Sequence, residues 1–428
     1  MSTKNLLVEL FVEELPPKAL KKLGEAFADG LVSGLRKFQL LTSDQVTDRE
    51  SFASPRRLAV LIPRVQSQAT DRSASEKLMP VSVGLSATGE PTPALLKKLA
   101  ALGLGASAVP QLERRLDGKA EVLFVSRVIP GALLADGLQA ALSDTLSRLP
   151  IPKVMQYQLA DGWTSVHFVR PAHGLVALHG DDVVPVQVLG LVAGRSTHGH
   201  RFEATVDPID LKHADEYANR LASEGAVIAS FAARRDEIVR QLNAAAAKRG
   251  LTPIDDAALL DEVTALVERP NVLTCQFETE FLGVPQECLI LTMKANQKYF
   301  PLLDSAGTLT NQFLVVSNIT PADASRVIEG NERVVRPRLA DAKFFFDQDR
   351  KRTLESRVPG LDKVVYHGKL GTQGERVLRV RAIARSIGQQ LGGDVLAAQA
   401  DRAAMLAKAD LLTDMVGEFP ELQGIMGG

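Results

Sequence analysis

The chain has 428 residues and a mass of 46.2 kDa, which at roughly 100–200 residues per domain predicts more than one domain. Apolar residues make up 45% and charged residues 24%, a composition that excludes a disordered, collagen-like or disulfide-rich protein. The 50 basic and 51 acidic side chains leave a net charge of −1, which argues against a protein that coats nucleic acid through bulk charge.

The N-terminal segment and the two cysteines indicate a reduced, cytoplasmic protein. Glu9, Glu13 and Glu14 interrupt the first apolar run, so that run lacks the uncharged core of a signal peptide. No run reaches the ~18 apolar residues that a membrane span needs. Cys275 and Cys288 have no CxxC pattern or neighbouring His pair, which predicts buried thiols. We therefore expect neither a membrane nor DNA as a partner.

The first 150 residues alternate strand and helix signals, which predicts an α+β body over 1–150. Residues 5–12 read as a buried strand, and Pro16 and Pro17 suit the first turn of a helix that extends to Phe38. Asp117-Gly118 between two apolar runs is a strong hairpin signal. The other predicted elements are a strand at 56–65, an exposed loop at 67–92, a helix at 93–103, a hairpin at 111–129 and a helix at 131–147.

The rest of the chain predicts a sheet-rich module over 151–325, a helical segment over 326–400 and the start of another helical domain over 401–428. Short Val-rich runs between 163 and 210 favour antiparallel sheet. A periodic helix near 405–416 ends the chain with no predicted partner. The elements predicted in between are helices at 213–249 and 256–268, strands at 271–277, 287–293, 298–303 and 312–318, and mainly helix after 323.

Motifs for nucleotide binding and hydrolysis are missing from the sequence. It holds no GxxxxGK[ST], GxGxxG, GxSxG or HExxH pattern. Residues 366–374 contain three glycines and a lysine, and fit either a phosphate loop or, as we favour, a turn between helices. We therefore predict that this chain carries no catalytic residue and binds no cofactor or metal ion.

Two side-chain patterns admit a metal ion, although a different interpretation is favoured for each. His198 and His200 lie two residues apart, on one side of a strand, but no third ligand is adjacent, so a structural or RNA-contacting role is preferred. Asp410, Asp414 and Glu418 recur every fourth residue. On one helix they would either bind a divalent ion or, more commonly, face solvent or a basic partner.

Clustered basic residues are the strongest functional signal. Residues 326–352 hold eight Lys or Arg against five Asp or Glu, and the phenylalanine triplet 344–346 lies in the same stretch. Arginine forks suit phosphate groups, although a helix face with internal salt bridges explains the pattern equally well. The candidate contacts are Arg56, Arg57, Arg195, His200, Arg201, Arg333, Arg336, Arg338 and Lys343.

Eight segments, in this order from residue 5 to 428, resemble the beta subunit of the bacterial heterotetrameric glycyl-tRNA synthetase. They are LLVELFVEELPPKAL, SPRRLAV, FVRPAHGLVALHG, THGHRF, MKANQKYFPL, GNERVVRPRLADAKFFFDQD, HGKLGTQGERV and KADLLTDMVGEFPELQGIMG. Two places depart from the family pattern, because Gln156 and His198 stand where the family usually has arginine. Any RNA contact made by those arginines would be weaker here.

The resemblance implies a function that the patterns alone do not show. In this family the alpha subunit carries the class II catalytic core and uses ATP and Mg²⁺, and the assembly is α2β2. The beta subunit is required for aminoacylation and deals mainly with tRNA. We therefore expect this chain to position tRNA(Gly) for glycylation at the alpha subunit, with the nine candidate residues as tRNA contacts. The alternatives are a hydrolytic editing module for mischarged tRNA and a scaffold for the alpha subunit only.

The resemblance also implies the domain types. The module at 151–325 is similar to the editing-type domain of the phenylalanyl-tRNA synthetase beta subunit. The segment at 401–428 would begin an HD-type helical domain that is cut short, before an anticodon-binding domain. No further histidine follows His367, so hydrolase chemistry of the HD type is not expected.

Overall fold

The computed structural model describes residues 2–41, 48–86, 88–118 and 120–428. The chain forms two compact units, Met1–Phe231 and Ala232–Gly428. Both units mix helices and strands, which confirms the α+β class. Within the described ranges, no helix is long and apolar enough to cross a membrane.

The first unit contains most of the strands. Its elements are β1 Thr3–Val12, α1 Pro17–Lys37, β2 Glu50–Ser54, β3 Arg57–Gln66, β4 Arg72–Pro80, α2 Val81–Gly84, α3 Pro93–Ala101, β5 Glu113–Asp117, β6 Ala120–Ile129, α4 Leu134–Arg148, β7 Met155–Gln158, β8 Ser165–Phe168, β9 Ala172–His179, β10 Asp182–Val183, β11 Gln187–Val188, β12 Leu191–Val192, β13 Ser196–Thr197, β14 Ile209–Asp210 and α5 Tyr217–Ser223.

A five-stranded antiparallel sheet in the order β10-β9-β1-β3-β2 organises the first unit. The predicted strand and helix at its start are confirmed, and α1 buries Leu20, Phe27 and Leu35 at helical spacing. Strand β9 pairs with β1 along almost its whole length. The domain boundary predicted at residue 150 therefore falls inside this unit, because a strand from beyond that boundary completes the first sheet.

A second sheet has the order β4-β6-β5. It confirms one predicted element and contradicts another. The hairpin at Asp117-Gly118 is confirmed, with Gly118 at a positive φ of 67°. The loop predicted at 67–92 is wrong, because β4 pairs with β6 over most of its length. Strand β4 has no fully buried residue, and residues 72–77 of this strand include only one apolar side chain, Ala74, so the sequence pattern does not mark it as a strand.

The second unit is mainly helical. Its elements are α6 Phe231–Ala247, which begins at the division, then β15 Thr252–Pro253, α7 Ala257–Thr264, β16 Asn271–Gln276, α8 Gln286–Gln297, β17 Phe300–Leu303, β18 Leu309–Ser317, α9 Ser325–Asp349, α10 Leu354–Arg357, β19 Val365–His367, β20 Gly371–Thr372, α11 Gln373–Leu406 and α12 Asp414–Glu418.

The sheet of this unit has the order β15-β17-β18-β16, which confirms three of the four predicted strands. The strand predicted at 287–293 is wrong, because this segment forms α8. The helix buries Cys288, Leu289, Thr292 and Met293 on one side, and the Thr292 hydroxyl donates to the Cys288 carbonyl oxygen at 2.8 Å. A short apolar run does not distinguish a buried strand from a buried helix face.

The C-terminal segment differs from the single periodic helix predicted for it. Helix α11 ends at Leu406, and a short 3-10 turn separates it from α12. Met415, Phe419 and Leu422 join a core that includes Val335 and Leu339 of α9. The segment therefore has a packing partner within its own unit.

Replacing one buried and one exposed helical leucine tests whether this core stabilises the second unit. Leu339→Ala removes a fully buried side chain of α9 and is expected to lower the free energy of unfolding by about 2–5 kcal/mol. Leu378→Ala, on α11, removes a side chain that is 62% exposed and should change it by less than about 0.5 kcal/mol. Urea denaturation followed by circular dichroism measures both, and equal losses would contradict the packing.

Candidate nucleic-acid interface

Helix α9 carries the exposed cations of the second unit that the sequence singles out. Its buried side consists of Val335, Leu339 and Ala342, which pack into the core. Arg333, Arg336 and Arg338 are exposed and Lys343 is half-buried, so the four predicted residues are brought to the outer surface of one helix. The apolar spacing on α9 fixes this arrangement, because burying one side turns the rest of the helix to solvent.

The helical period divides these cations into two groups. Arg333 and Arg336 are three residues apart and Lys343 follows seven residues later, which places all three along one flank. Arg338 lies two residues beyond Arg336 and therefore on the opposite flank of the exposed surface. Arg326 is exposed seven residues before Arg333, on its side of the helix. The seven-residue spacing between Arg326 and Arg333 could have added Arg326 to the predicted contacts.

Ion pairs occupy only part of this surface. Arg336 is paired with Glu278, and the Lys343 Nζ lies 2.6 Å from an Asp347 carboxylate oxygen. Arg333 and Arg338 have no hydrogen-bond or ion-pair partner in the part of the chain that the structure describes. Two of the four cations are therefore ion-paired, and only the Lys343–Asp347 pair lies within the helix.

The three phenylalanines at 344–346, next to the cations, also differ in exposure. Phe344 is 56% exposed, whereas Phe345 and Phe346 pack against the core of the unit. Phe344 and Phe345 meet edge to face, with ring centroids 5.6 Å apart. The exposed ring adds an apolar surface among the charges of α9.

In the first unit, two of the predicted cations are buried. The Arg56 and Arg57 guanidiniums donate to the Gly199 and His198 carbonyl oxygens at 2.7 and 2.9 Å. Both guanidiniums also lie over the Phe11 ring, 5.3 and 5.5 Å from its centroid. Residues 198–207 form a loop, called here the 198–207 loop. The two arginines connect this loop to the end of β1, where Phe11 lies. Arg56 and Arg57 therefore hold the 198–207 loop in place and are not themselves part of the exposed surface.

The predicted histidine pair is also brought together with this loop, but not as a metal site. His200 is buried, and its Nδ1 accepts hydrogen bonds from the Phe202 and Glu203 amides, both at 3.2 Å. The proton of the neutral ring therefore lies on Nε2, which leaves no lone pair for a metal. His198 instead pairs through Nδ1 with Asp207 at 2.9 Å. The described residues contain no cluster of three or more potential metal ligands.

The two remaining predicted residues of this unit differ in exposure. Arg195 is half-buried and donates to the Leu211 and Asp181 carbonyl oxygens, at 3.3 and 3.1 Å. Arg201 is exposed, and its guanidinium lies 3.6 Å from Glu13. Arg201 is thus the predicted cation of the 198–207 loop that faces solvent. Phe202 beside it is 79% exposed and was not predicted.

A buried polar cluster lies behind the 198–207 loop. Glu9 at the centre of β1 is fully buried and accepts a hydrogen bond from the Tyr217 hydroxyl. Burial, reinforced by the charge of Glu9, holds the pKa of Tyr217 well above its ordinary value, while Arg57 acts in the opposite direction. The tyrosine is therefore a neutral donor to the carboxylate at physiological pH.

The predicted acidic stripe and the glycine-containing segment at 366–374 both make structural contacts within the second unit. Asp410 is buried and accepts from the Gly424 amide, and Asp414 belongs to a separate short helix, so the predicted acidic stripe does not share one helix face. Residues 366–374 form the β19–β20 hairpin and a capping box, in which Thr372 and Glu375 satisfy backbone amides at the start of α11. This geometry fits a turn.

Comparison with known proteins identifies the family. Residues 6–428 match the family model described as "Glycyl-tRNA synthetase beta subunit". The chain belongs to this family. It is 71% identical to the glycine–tRNA ligase beta subunits of Leptothrix cholodnii and Janthinobacterium sp., and 70% identical to that of Dechloromonas aromatica. These matches cover 100% of this chain and 62%, 61% and 61% of the three relatives, so the chain spans about three fifths of their length.

The positioning role of Arg56 predicts a local effect. Arg56→Ala removes a charge-assisted hydrogen bond worth about 1.5–3 kcal/mol, so the amides of the 198–207 loop should exchange roughly 10- to 100-fold faster. Arg201→Ala, which removes an exposed guanidinium of the same loop, should leave their exchange unchanged. Hydrogen–deuterium exchange read by mass spectrometry checks both, and unchanged exchange in the Arg56 variant would contradict the role.

Proposed function

We propose that this chain binds tRNA(Gly) and positions it for ATP-dependent glycylation at a partner alpha subunit, as a cytoplasmic subunit of an α2β2 glycine–tRNA ligase. The family and the names of the relatives support this role. The observation that carries it is the set of cations on the outer surface of α9, of which Arg326, Arg333 and Arg338 have no hydrogen-bond or ion-pair partner among the described residues.

The electrostatic argument is local. A chain with net charge −1 has no bulk attraction for RNA, so its affinity must come from groups held together on one surface. Arg333 presents an unoccupied guanidinium fork, with Arg326, Arg336 and Lys343 along the same flank of α9, and Arg338 presents a second unoccupied fork on the opposite flank. Such forks bind phosphate oxygens, and RNA helices are recognised mainly through their shape, phosphates and 2′-hydroxyls.

The same proposal assigns the other parts of the reaction. ATP and Mg²⁺ bind to the alpha subunit, which agrees with the lack of phosphate-cradling motifs in this sequence. The likeness to the editing-type domain of the phenylalanyl-tRNA synthetase beta subunit and to an HD-type helical domain stays a proposal from the resemblance, because the division at Phe231 falls inside residues 151–325 and residues 415–422 pack with α9. Within the first unit, Arg201 is proposed as a separate tRNA contact, whereas Arg56, Arg57, Arg195 and His200 act by supporting that unit.

Charge reversal on α9 tests its role in tRNA binding. Arg333→Glu with Arg336→Glu should weaken tRNA(Gly) binding and reduce the slope of log K against log salt by about 0.7–0.9 for each phosphate that is no longer neutralised. The matched control is Arg379→Glu with Arg385→Glu, which makes the same change in charge at exposed positions of α11. Filter binding over a salt series measures both, and equal effects of the two pairs would reject α9 as the tRNA-binding surface.

A second candidate function is hydrolytic editing, and one observation favours it. His198 directs Nδ1 to Asp207, so Nε2 is left to accept a proton, which is the orientation of a general base. If the module clears Ala-tRNA(Gly), His198→Ala should slow deacylation by about 100-fold or more. His213→Ala, at another half-exposed histidine paired with an aspartate, is the control. Wild-type release no faster than in buffer would remove this candidate.

A further inference from the structure

Trp163 is the only tryptophan of the chain, and it is 90% exposed. It lies at the turn of the β7–β8 hairpin. Indole combines a large apolar face with one hydrogen-bond donor, and tryptophan is enriched among the residues that dominate binding interfaces. A single indole held in water therefore indicates a surface that is covered when a ligand binds.

The turn that carries Trp163 is held rigid. One Asp161 carboxylate oxygen accepts from the Trp163 and Thr164 amides, both at 2.9 Å, and the other accepts from the Thr164 hydroxyl at 2.6 Å. Gly162 adopts a positive φ of 74°, which a side chain would resist. The backbone that carries the indole is thus held in place, so little backbone entropy is lost on binding.

The outer face of the hairpin has an unusual composition. Its inner face buries Val166 and Phe168. Its outer face consists of Gln156 opposite His167 and Gln158 opposite Ser165, all four exposed and all uncharged except for His167 when it is protonated. In the described ranges, none of these four side chains has a hydrogen-bond partner. The strands that flank the turn of Trp163 therefore carry a set of amide, imidazole and hydroxyl groups without hydrogen-bond partners among the described residues.

We propose that Trp163 and the outer face of the β7–β8 hairpin bind unpaired nucleotides of RNA. The indole stacks on a base, and Gln156, Gln158 and His167 donate and accept hydrogen bonds at base edges, which carry both kinds of group. Lys153, exposed just before β7, supplies a cation for the adjoining phosphate. The inference rests on the proposed function, because it takes the single-stranded parts of tRNA(Gly) as the natural ligand.

The surface favours RNA over a protein partner for a chemical reason. The outer face, formed by Gln156, Gln158, Ser165 and His167, is polar and offers both donors and acceptors, whereas the centre of a protein interface is usually depleted of unpaired polar groups. Base stacking needs only one aromatic face and tolerates any base sequence. The β7–β8 hairpin carries such an aromatic ring at its turn and unpaired amides on its strands.

The single tryptophan provides a direct measurement. Its emission should be quenched when a short single-stranded oligoribonucleotide is added to the 428-residue chain, because a base stacks on the indole. A blunt-ended RNA duplex of the same sequence should leave the emission unchanged. Quenching by tRNA(Gly), added separately, connects the surface to the proposed ligand.

Two variants locate the binding surface by affinity. Trp163→Ala should weaken binding of the labelled oligoribonucleotide by roughly 5- to 100-fold, as expected when one base no longer stacks. Phe202→Ala removes another highly exposed aromatic ring of the same unit and should leave that affinity unchanged. Fluorescence anisotropy measures both, and because Trp163 and Phe202 are exposed, neither result depends on loss of folding.

The outcomes separate this inference from the proposed function. Binding of tRNA(Gly) without any change in Trp163 emission overturns the inference and leaves the proposed function standing. Quenching by single-stranded RNA without binding of tRNA(Gly) supports the inference and removes the proposed function. A change in emission with the alpha subunit alone, and none with either RNA, shows a protein-docking site and overturns the inference.

Discussion

The first unit depends on β1, a strand that is hydrogen-bonded along both edges and buried over nearly its whole length. Burying a strand in this way places Glu9 out of reach of water, where a charged carboxylate is stable only with hydrogen-bond donors around it. Tyr217 supplies one of them. The end of β1 then brings Phe11 and Glu13 to the 198–207 loop, which Arg56 and Arg57 fasten.

Arginine therefore has two separate uses in this protein. In the first unit, buried guanidiniums donate to backbone carbonyls and stack on Phe11, so they hold a loop in place. On α9, the apolar side packs into the core of the second unit and the cations project into solvent. Withdrawing a buried arginine from its carbonyl partners would leave buried polar groups unpaired, whereas an exposed guanidinium exchanges water for phosphate. Exposure, rather than local sequence, decides which arginines are available to RNA.

Much of the fold is predictable where pattern and length agree. Strand β1, helix α1, the Asp117-Gly118 hairpin and the cation-bearing α9 follow from apolar period and turn chemistry. Helix α8 escapes prediction because its run of Leu, Ile and Thr is short and apolar on every side, and β4 because it lies exposed in a small sheet. The supporting role of Arg56 and Arg57 could not be predicted, since it depends on carbonyl groups more than 140 residues away in the chain.

The most direct test of the tRNA-binding role is the affinity of the 428-residue chain for tRNA(Gly), measured by filter binding across a salt series without an alpha subunit. Binding is expected to weaken as salt rises, with a slope of log K against log salt of about −2 to −4, because local cations neutralise a few phosphates. No binding at low salt, or a slope near zero, would contradict the proposal that the 428-residue chain binds tRNA(Gly) through these cations.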